Sequence, residues 1–175
     1  MRWLTFVILA VVATTLQVTV APRLAFHGAR LDCILILVVF YALYGPSEHA
    51  ILAGWLGGAL ADVMTIERFG LLSLSYALTG ALVVSIRDAL FIRHPLTHFS
   101  VTLAGGVLVQ AMWAAYRLIV GLPVGPLVPL LLACAGSAVV AVPAHRALLT
   151  LPGLLGFRVG KHSGAYSPGA RGYLV

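Results

Sequence analysis

Six long apolar runs, separated by short polar or Gly/Pro-containing stretches, constrain this chain more than any other feature. The runs are Trp3–Val20, Leu31–Tyr44, His49–Met64, Phe69–Ile86, Phe99–Val120 and Leu127–Thr150. An α-helix needs roughly 20 mostly apolar residues to cross the hydrocarbon core of a bilayer. The second run is short for this purpose, so we expect its helix to begin earlier, near Ala29. The pattern predicts about six transmembrane helices.

Helices explain these runs better than the strands of a membrane barrel. Barrel strands alternate apolar and polar residues, whereas Leu31–Tyr44 and Leu127–Val142 are apolar on all sides. With 61% hydrophobic and 9% charged residues, the chain also carries more apolar surface than a soluble domain of this size can bury. We therefore expect an all-α, polytopic membrane protein.

A single membrane domain accounts for most of the chain. Residues 1–155 contain all six runs and form the expected six-helix transmembrane domain. Residues 156–175 are rich in Gly, Ser and basic residues, which is typical of a flexible basic tail. The first run resembles a signal peptide, but it is long for one, and Pro22 follows the only plausible cleavage point. We expect it to be a retained helix.

The basic residues predict an orientation. In the six-helix layout, seven Lys or Arg residues fall on one side of the membrane and four on the other. Because cytoplasmic loops collect Lys and Arg, both termini are expected in the cytoplasm, the tail included. No basic cluster is interleaved with aromatic residues, so the charge does not indicate nucleic-acid binding.

The third run has the clearest internal pattern, two neighbouring rows of small residues along one helix. The first row is Ala50, Gly54, Gly58 and Asp62, and the second is Ala53, Gly57 and Ala61. Small residues at this spacing let another helix backbone approach closely in lipid. The pattern predicts a close helix crossing, either inside this protein or with a partner helix.

The carboxylates Asp62 and Asp32 are candidate functional residues because a charge at membrane depth is costly unless it is paired or hydrated. Asp62 is expected near the outer end of the third helix, where it could pair with Arg68 or Arg30, dock a partner, or handle an ion or proton. Asp32 opens the second helix, where the helix dipole favours an acidic residue.

Other side chains do not form a recognisable catalytic or metal site. Cys33 and Cys134 lie inside apolar runs and read as packing residues. His94 and His98 are four residues apart, but Pro95 lies between them and no further ligand is near in sequence. Without a catalytic motif, we expect no enzyme activity and no cofactor or metal.

Three segments of the chain resemble the rod shape-determining protein MreD family. They are Arg30–Val38, Gly54–Asp62 and Phe69–Gly80, with Tyr41–Pro46 between the first two. The chain departs from the family pattern at Leu31 and Phe69, where proline is usual. The candidate packing or partner-binding residues are Asp32, Gly54, Gly57, Gly58, Asp62, Arg68, Gly70, Tyr76 and Gly80.

The resemblance implies a non-enzymatic scaffold of the bacterial cell-wall elongation machinery, located in the cytoplasmic (inner) membrane. Its partners would be an MreC-like single-span protein, an MreB-like filament, the wall synthases and membrane lipid, with no small-molecule substrate. The family is similar in fold to the substrate-binding subunits of energy-coupling-factor transporters. The alternative is therefore a subunit that captures a vitamin-like molecule, for which the credible lining residues are Gln17, Gln110, Asp62 and Tyr76.

Overall fold

The computed structural model describes residues 3–19, 22–23, 31–65, 70–91 and 94–150. Within these ranges the chain forms six α-helices, which confirms the expected all-helical class. They are α1 (Trp3–Thr19), α2 (Cys33–Tyr44), α3 (Ser47–Val63), α4 (Leu71–Ile86), α5 (Pro95–Ile119) and α6 (Leu127–Leu149), and a 3-10 turn at Arg87–Ala89 follows α4. The predicted tail, residues 156–175, lies outside the described residues.

Two of the expected helix starts need correction. The second helix begins at Cys33 and not near Ala29, because the Asp32 side chain caps it by accepting a hydrogen bond from the Leu35 N–H. The third apolar run starts at His49, but its helix begins at Ser47, and Pro46 takes the cap position. Pro95 stands in the first turn of α5, where proline is well tolerated.

Helix α2 forms the centre of the bundle. Ten of its residues, Ile34 to Leu43, are buried, and it contacts all five other helices. A helix that is apolar all round is stable inside a protein or in lipid, and the low exposure of α2 shows that its surroundings are protein. The uniform apolarity of this run therefore reflects burial by protein.

The outer helices have lengths and surfaces suited to lipid. The segments Leu71–Ala89, Pro95–Ile119 and Leu127–Leu149 are long and apolar enough to cross a membrane, and α1 and α2 are shorter apolar helices. Large apolar side chains such as Leu4 and Leu74 point outward and are exposed. In water this surface would be unfavourable, and together with the helix lengths it supports a polytopic membrane protein.

The bundle has two chemically different ends. We call the end where α2 and α4 begin the Asp end, after Asp32 and Asp62, and the end where α2 meets α3 the Arg end, after Arg87. Helix α5 has 25 residues and α2 has 12, so α5 is longer by about 20 Å. Much of the difference lies at the Asp end, where Gly106 of α5 is already level with Leu35 of α2.

Candidate functional site

Asp62 is the most heavily bonded side chain of the Asp end. It lies at the end of α3, is 3% exposed, and accepts four hydrogen bonds from the start of α4. The backbone N–H groups of Gly70, Leu72 and Ser73 donate over 2.9, 3.0 and 3.0 Å, and the Ser73 hydroxyl donates over 2.7 Å. The carboxylate is thus satisfied entirely by the next helix.

Asp62 takes the place of the N-terminal cap that α4 lacks. The cap position is Gly70, whose φ of 107° is in the left-handed region, and it has no side chain to accept from the first turn. Asp62 supplies the acceptor from α3 and places a negative charge at the positive end of the α4 dipole. Its chemistry is therefore that of a structural anchor between two helices.

The first small-residue row allows α3 and α4 to touch backbone to backbone. A Cβ added at Gly54 would lie 2.6 Å from the Tyr76 carbonyl oxygen, and one at Gly58 would lie 2.5 Å from the Leu72 carbonyl oxygen. At Gly80, on α4, the nearest atom would be the Ala50 carbonyl oxygen at 3.2 Å. The crossing is tightest one turn from Asp62.

The second row faces a different neighbour. A Cβ at Gly57 would meet the methyl groups of Ile34 and Val38 on α2, each at 3.1 Å. Ala53 and Ala61 are buried as well. The two rows therefore pack against α4 and α2, and the close crossing predicted from the sequence is internal to the protein.

Asp32 and Ile34 together connect four helices at the same end. Asp32 caps α2 through Leu35 N–H, and the Tyr76 hydroxyl of α4 donates to its carboxylate. Its own N–H donates to the Ser137 hydroxyl of α6 over 2.8 Å. Two residues on, Ile34 N–H donates to the Gln17 side-chain oxygen of α1 over 3.2 Å. Buried polar groups of different helices are thus joined in one network.

A cavity of about 520 Å³ opens beside these carboxylates. Gln17, Gln110, Asp62 and Tyr76, the lining residues named from the sequence, all contribute to its wall. Asp32 and Trp113 line it as well. The structure thus brings together the four residues that were singled out for the alternative, capture-subunit hypothesis.

The other candidate residues take different places. Gly70 and Gly80 belong to the α3–α4 contact already described, and Tyr76 connects that contact to Asp32. Arg68 and Arg30, the expected partners of Asp62, lie outside the described residues. Among the described residues, no group of three or more His, Cys, Asp or Glu could hold a metal ion.

Sequence reasoning missed a second polar network, at the Arg end. His98 of α5 and His145 of α6 are buried, with their Nδ1 atoms 2.9 Å apart. His145 Nε2 lies 2.9 Å from the Ile36 carbonyl oxygen, and His98 Nε2 lies 3.2 Å from the Tyr44 hydroxyl. The partners are 47 residues apart, so no local spacing could have indicated the pair.

The carbonyl fixes the direction of this chain of hydrogen bonds when both rings are neutral. A carbonyl oxygen only accepts, so His145 Nε2 carries the proton and His145 Nδ1 accepts. His98 Nδ1 must then donate, and its Nε2 accepts from Tyr44. The network joins α2, α5 and α6, and every ring nitrogen in it is satisfied.

Arg87 was considered only for membrane orientation, yet it joins the same end. Its guanidinium donates to the carbonyl oxygens of Ala42, over 3.3 Å, and Gly45, and to the Ser47 hydroxyl over 3.0 Å. These carbonyls are among those that α2 leaves unpaired at its C-terminus. The signal in the sequence was a lone arginine directly after an apolar run.

Comparison with known proteins now identifies the family. The family model for the rod shape-determining protein MreD matches residues 1–128. The chain belongs to the MreD family. The match covers α1 to α5 and the first residues of α6, well beyond the segments that carried the sequence resemblance. No curated protein and no solved structure matched the chain.

Membership assigns this MreD protein to rod-shape determination. The family is a family of shape-determining membrane proteins and is not a known enzyme family. Its role in the cell-shape machinery together with MreC indicates the general kind of partner. In this family member, the hydrogen bonds of Asp32 and Asp62 join α2, α3, α4 and α6 at the Asp end.

Proposed function

We propose that this MreD protein is a non-enzymatic scaffold of the cell-wall elongation machinery that binds an MreC-like single-span protein in the bacterial inner membrane. Both termini lie in the cytoplasm, as the distribution of Lys and Arg favours. Through this partner the protein would contact the MreB-like filament and the wall synthases.

The use of Asp62 is the observation that supports this proposal most directly. A reactive carboxylate needs a free oxygen directed at a substrate, whereas the Asp62 oxygens are occupied by four donors from α4. The most conspicuous acidic group at membrane depth thus stabilises the bundle. A rigid bundle presents the same surface to a partner at all times, which reduces the entropic cost of binding.

Under this proposal the partner binds on the outward faces of the helices. The glycine rows of α3 are already in contact with α4 and α2, so a partner helix has no access to them. In lipid, helix association depends on packing and a few hydrogen bonds. Substitutions on the α3 rows would then reduce partner capture only by unfolding the protein.

Affinity purification of the full chain from native membranes tests the scaffold role. The expected result is enrichment of a protein with one transmembrane segment, identified by mass spectrometry, in a fixed ratio to the bait. The Asp88→Asn variant is purified in the same way as a control. Asp88 is 97% exposed at the Arg end, so this variant should recover the same single-span protein. Recovery of the bait without such a protein, from membranes known to contain it, would contradict the proposal.

One observation favours the alternative, a subunit that captures a small molecule. Gln17, Gln110, Asp62 and Tyr76 line one cavity, and concave sites with a few converging polar groups are typical of ligand pockets. If the alternative holds, the purified protein carries a bound small molecule. Substitutions on the outward faces of the helices then leave recovery of the single-span protein unchanged.

A further inference from the structure

The cavity at the Asp end lies at a depth where polar side chains are costly. Gln110 is the sixteenth residue of α5, which begins at Pro95 and ends at Ile119. It therefore lies about 14 Å along the helix from Ile119 and about 22 Å from Pro95. Polar side chains at such depth generally face a protein interior or a water-filled cavity, where they contact ions or substrates.

Several polar groups in the cavity remain available after the structural bonds are counted. Asp62 is saturated, and Gln17 uses only its side-chain oxygen, which accepts from Ile34. Asp32 accepts from Leu35 and Tyr76, which leaves further lone pairs on its oxygens. The Gln110 amide has no hydrogen-bond partner among the described residues. Donors and acceptors from α1, α2 and α5 therefore converge on one space.

The charge of the wall selects the ligand. Among the described residues that line the cavity, two are carboxylates, Asp32 and Asp62, and none is Lys, Arg or His. The Arg87–Asp88 ion pair lies at the other end. Arg117 is the nearest cation further along α5, and its guanidinium is held against the Trp113 ring, 4.6 Å from the centroid. An anion would face the Asp32 carboxylate in a medium of low dielectric constant, with no cation among the described lining residues to offset its charge.

More than half of the lining residues are apolar, so the wall also suits a hydrocarbon body. Leu31 of the segment before α2, Leu71 and Leu72 of α4 and Val109 of α5 all contribute to it. A ligand with only polar groups would leave this surface in contact with water. The cavity volume of about 520 Å³ is within the usual range for small-molecule sites, roughly 300–1,000 Å³.

We propose that the Asp-end cavity binds a small organic amine, with its ammonium group on Asp32 and the Gln110 amide oxygen and its apolar body against the leucines and valines of the wall. This binding site is independent of the scaffold function, and either can hold without the other. The Gln17 amide group can donate to a second polar atom of the ligand.

A series of three probes with one carbon skeleton tests the charge selection. They are 3-phenylpropylamine, 3-phenylpropanamide and 3-phenylpropanoate, which are cationic, neutral and anionic at pH 7. Binding is followed by Trp113 fluorescence in purified full-length protein with Trp3→Phe and Trp55→Phe. We expect the amine to bind at least about tenfold more tightly than the carboxylate, because the ammonium group gains the attraction of Asp32 that the anion lacks.

Variants at Gln110 separate this site from partition into the detergent micelle. Gln110 makes no structural hydrogen bond within the described residues, so Gln110→Lys and Gln110→Leu should fold, which thermal unfolding checks. Gln110→Lys adds a cation and should abolish the preference for the amine, and Gln110→Glu should increase it. Ser100→Leu, on the exposed surface of α5, is the control and should change nothing.

Two results would overturn the proposal. One is equal affinity for the three probes in the parent protein, which would mean that the wall carries no effective negative charge. The other is a preference for the amine that persists in folded Gln110→Lys, which would place the binding in the micelle. Neither result affects the scaffold role, because recovery of the single-span partner is measured separately.

Discussion

The two ends of the bundle stabilise the same helices with opposite chemistry. At the Asp end, carboxylates accept from the first turns of α2 and α4, where the N–H groups are unpaired. At the Arg end, the Arg87 guanidinium donates to the carbonyl oxygens of Ala42 and Gly45, where α2 ends. Each end therefore places a group that complements the helix dipole where lipid offers no water to do so.

The contacts at the two ends also differ in how readily they can be predicted from the sequence. At the Asp end, Asp62 lies eight to eleven residues before its partners, whereas Asp32 meets Tyr76 and Ser137, which are 44 and 105 residues away. The Arg-end partners are 40 or more residues apart. A short hairpin leaves a readable motif, whereas a contact between distant helices does not. The row of small residues that ends in Asp62 accordingly marks the α3–α4 contact, whereas no local spacing marks the histidine pair.

The largest expected effect is at Asp62. Asp62→Leu leaves three backbone N–H groups and one hydroxyl without an acceptor, and it should reduce the free energy of unfolding by about 3 kcal/mol or more. Asp62→Asn keeps one oxygen. If that oxygen takes the Oδ2 position, only the Leu72 bond is lost, so the effect should be smaller. The measurement is SDS-induced unfolding of purified protein in mixed micelles.

Asp88→Asn is the control for Asp62, since its carboxylate is exposed and 3.9 Å from Arg87. It should change the unfolding free energy by less than about 0.5 kcal/mol. If Asp62→Leu proved no more destabilising than Asp88→Asn, the Asp end would not be anchored by its carboxylate, and the comparison of the two ends would fail.

The second-largest effect tests whether the distance between α3 and α4 increases from Gly58 to Gly80. Gly58→Ala would press a methyl group against the α4 backbone at Leu72 and Ser73, and it should cost about 1–3 kcal/mol. Gly80→Ala, at the wider part, meets Ala50 at 3.2 Å and should cost less. Each variant adds one methyl group to the contact between α3 and α4, one from each helix. Their losses in SDS-induced unfolding can therefore be compared directly. A larger loss of unfolding free energy for Gly80→Ala than for Gly58→Ala would mean that the helices are closer at Gly80.

The sequence predicted the helices well because length and apolarity decide them. It also predicted a close crossing at Gly54 and Gly58, since small residues in rows have one common physical use in lipid. It did not identify which helix they meet. For Asp62 it suggested Arg30 or Arg68 as partners, which lie outside the described residues. The donors seen at Asp62 are the Ser73 hydroxyl and three backbone N–H groups. Every residue except proline carries a backbone N–H, so these donors leave no mark in a sequence.

The histidine pair was beyond sequence reasoning for a different reason. His98 and His145 come together because α5 and α6 pack against α2, and that depends on the whole bundle. Viewed singly, each is a polar residue in an apolar run. Only the position of the Ile36 carbonyl oxygen next to His145 shows how the pair is oriented.

A double-mutant cycle on the histidines gives the third effect. His98→Leu or His145→Leu alone leaves the other ring with a buried unpaired nitrogen and should cost about 1–3 kcal/mol. The double variant removes both polar groups, so its cost should be less than the sum by about 1 kcal/mol. Additive losses in SDS unfolding would mean that the two rings do not interact, and each would then stabilise the bundle only through its own contact with α2.

The smallest expected effect is at Arg87, because its side chain is 19% exposed and water can partly replace it. Arg87→Met keeps the apolar stem but removes the donors to Ala42, Gly45 and Ser47, and it should cost about 1 kcal/mol. Arg87→Lys should recover part of this, since an ammonium group reaches fewer acceptors than the guanidinium fork. Added salt should not reproduce the loss, because the bonds run to backbone oxygens and not to Asp88. A loss in Arg87→Met that equals the loss in Asp62→Leu would show that exposure does not weaken the Arg end. Both ends would then contribute equally to holding α2 in place.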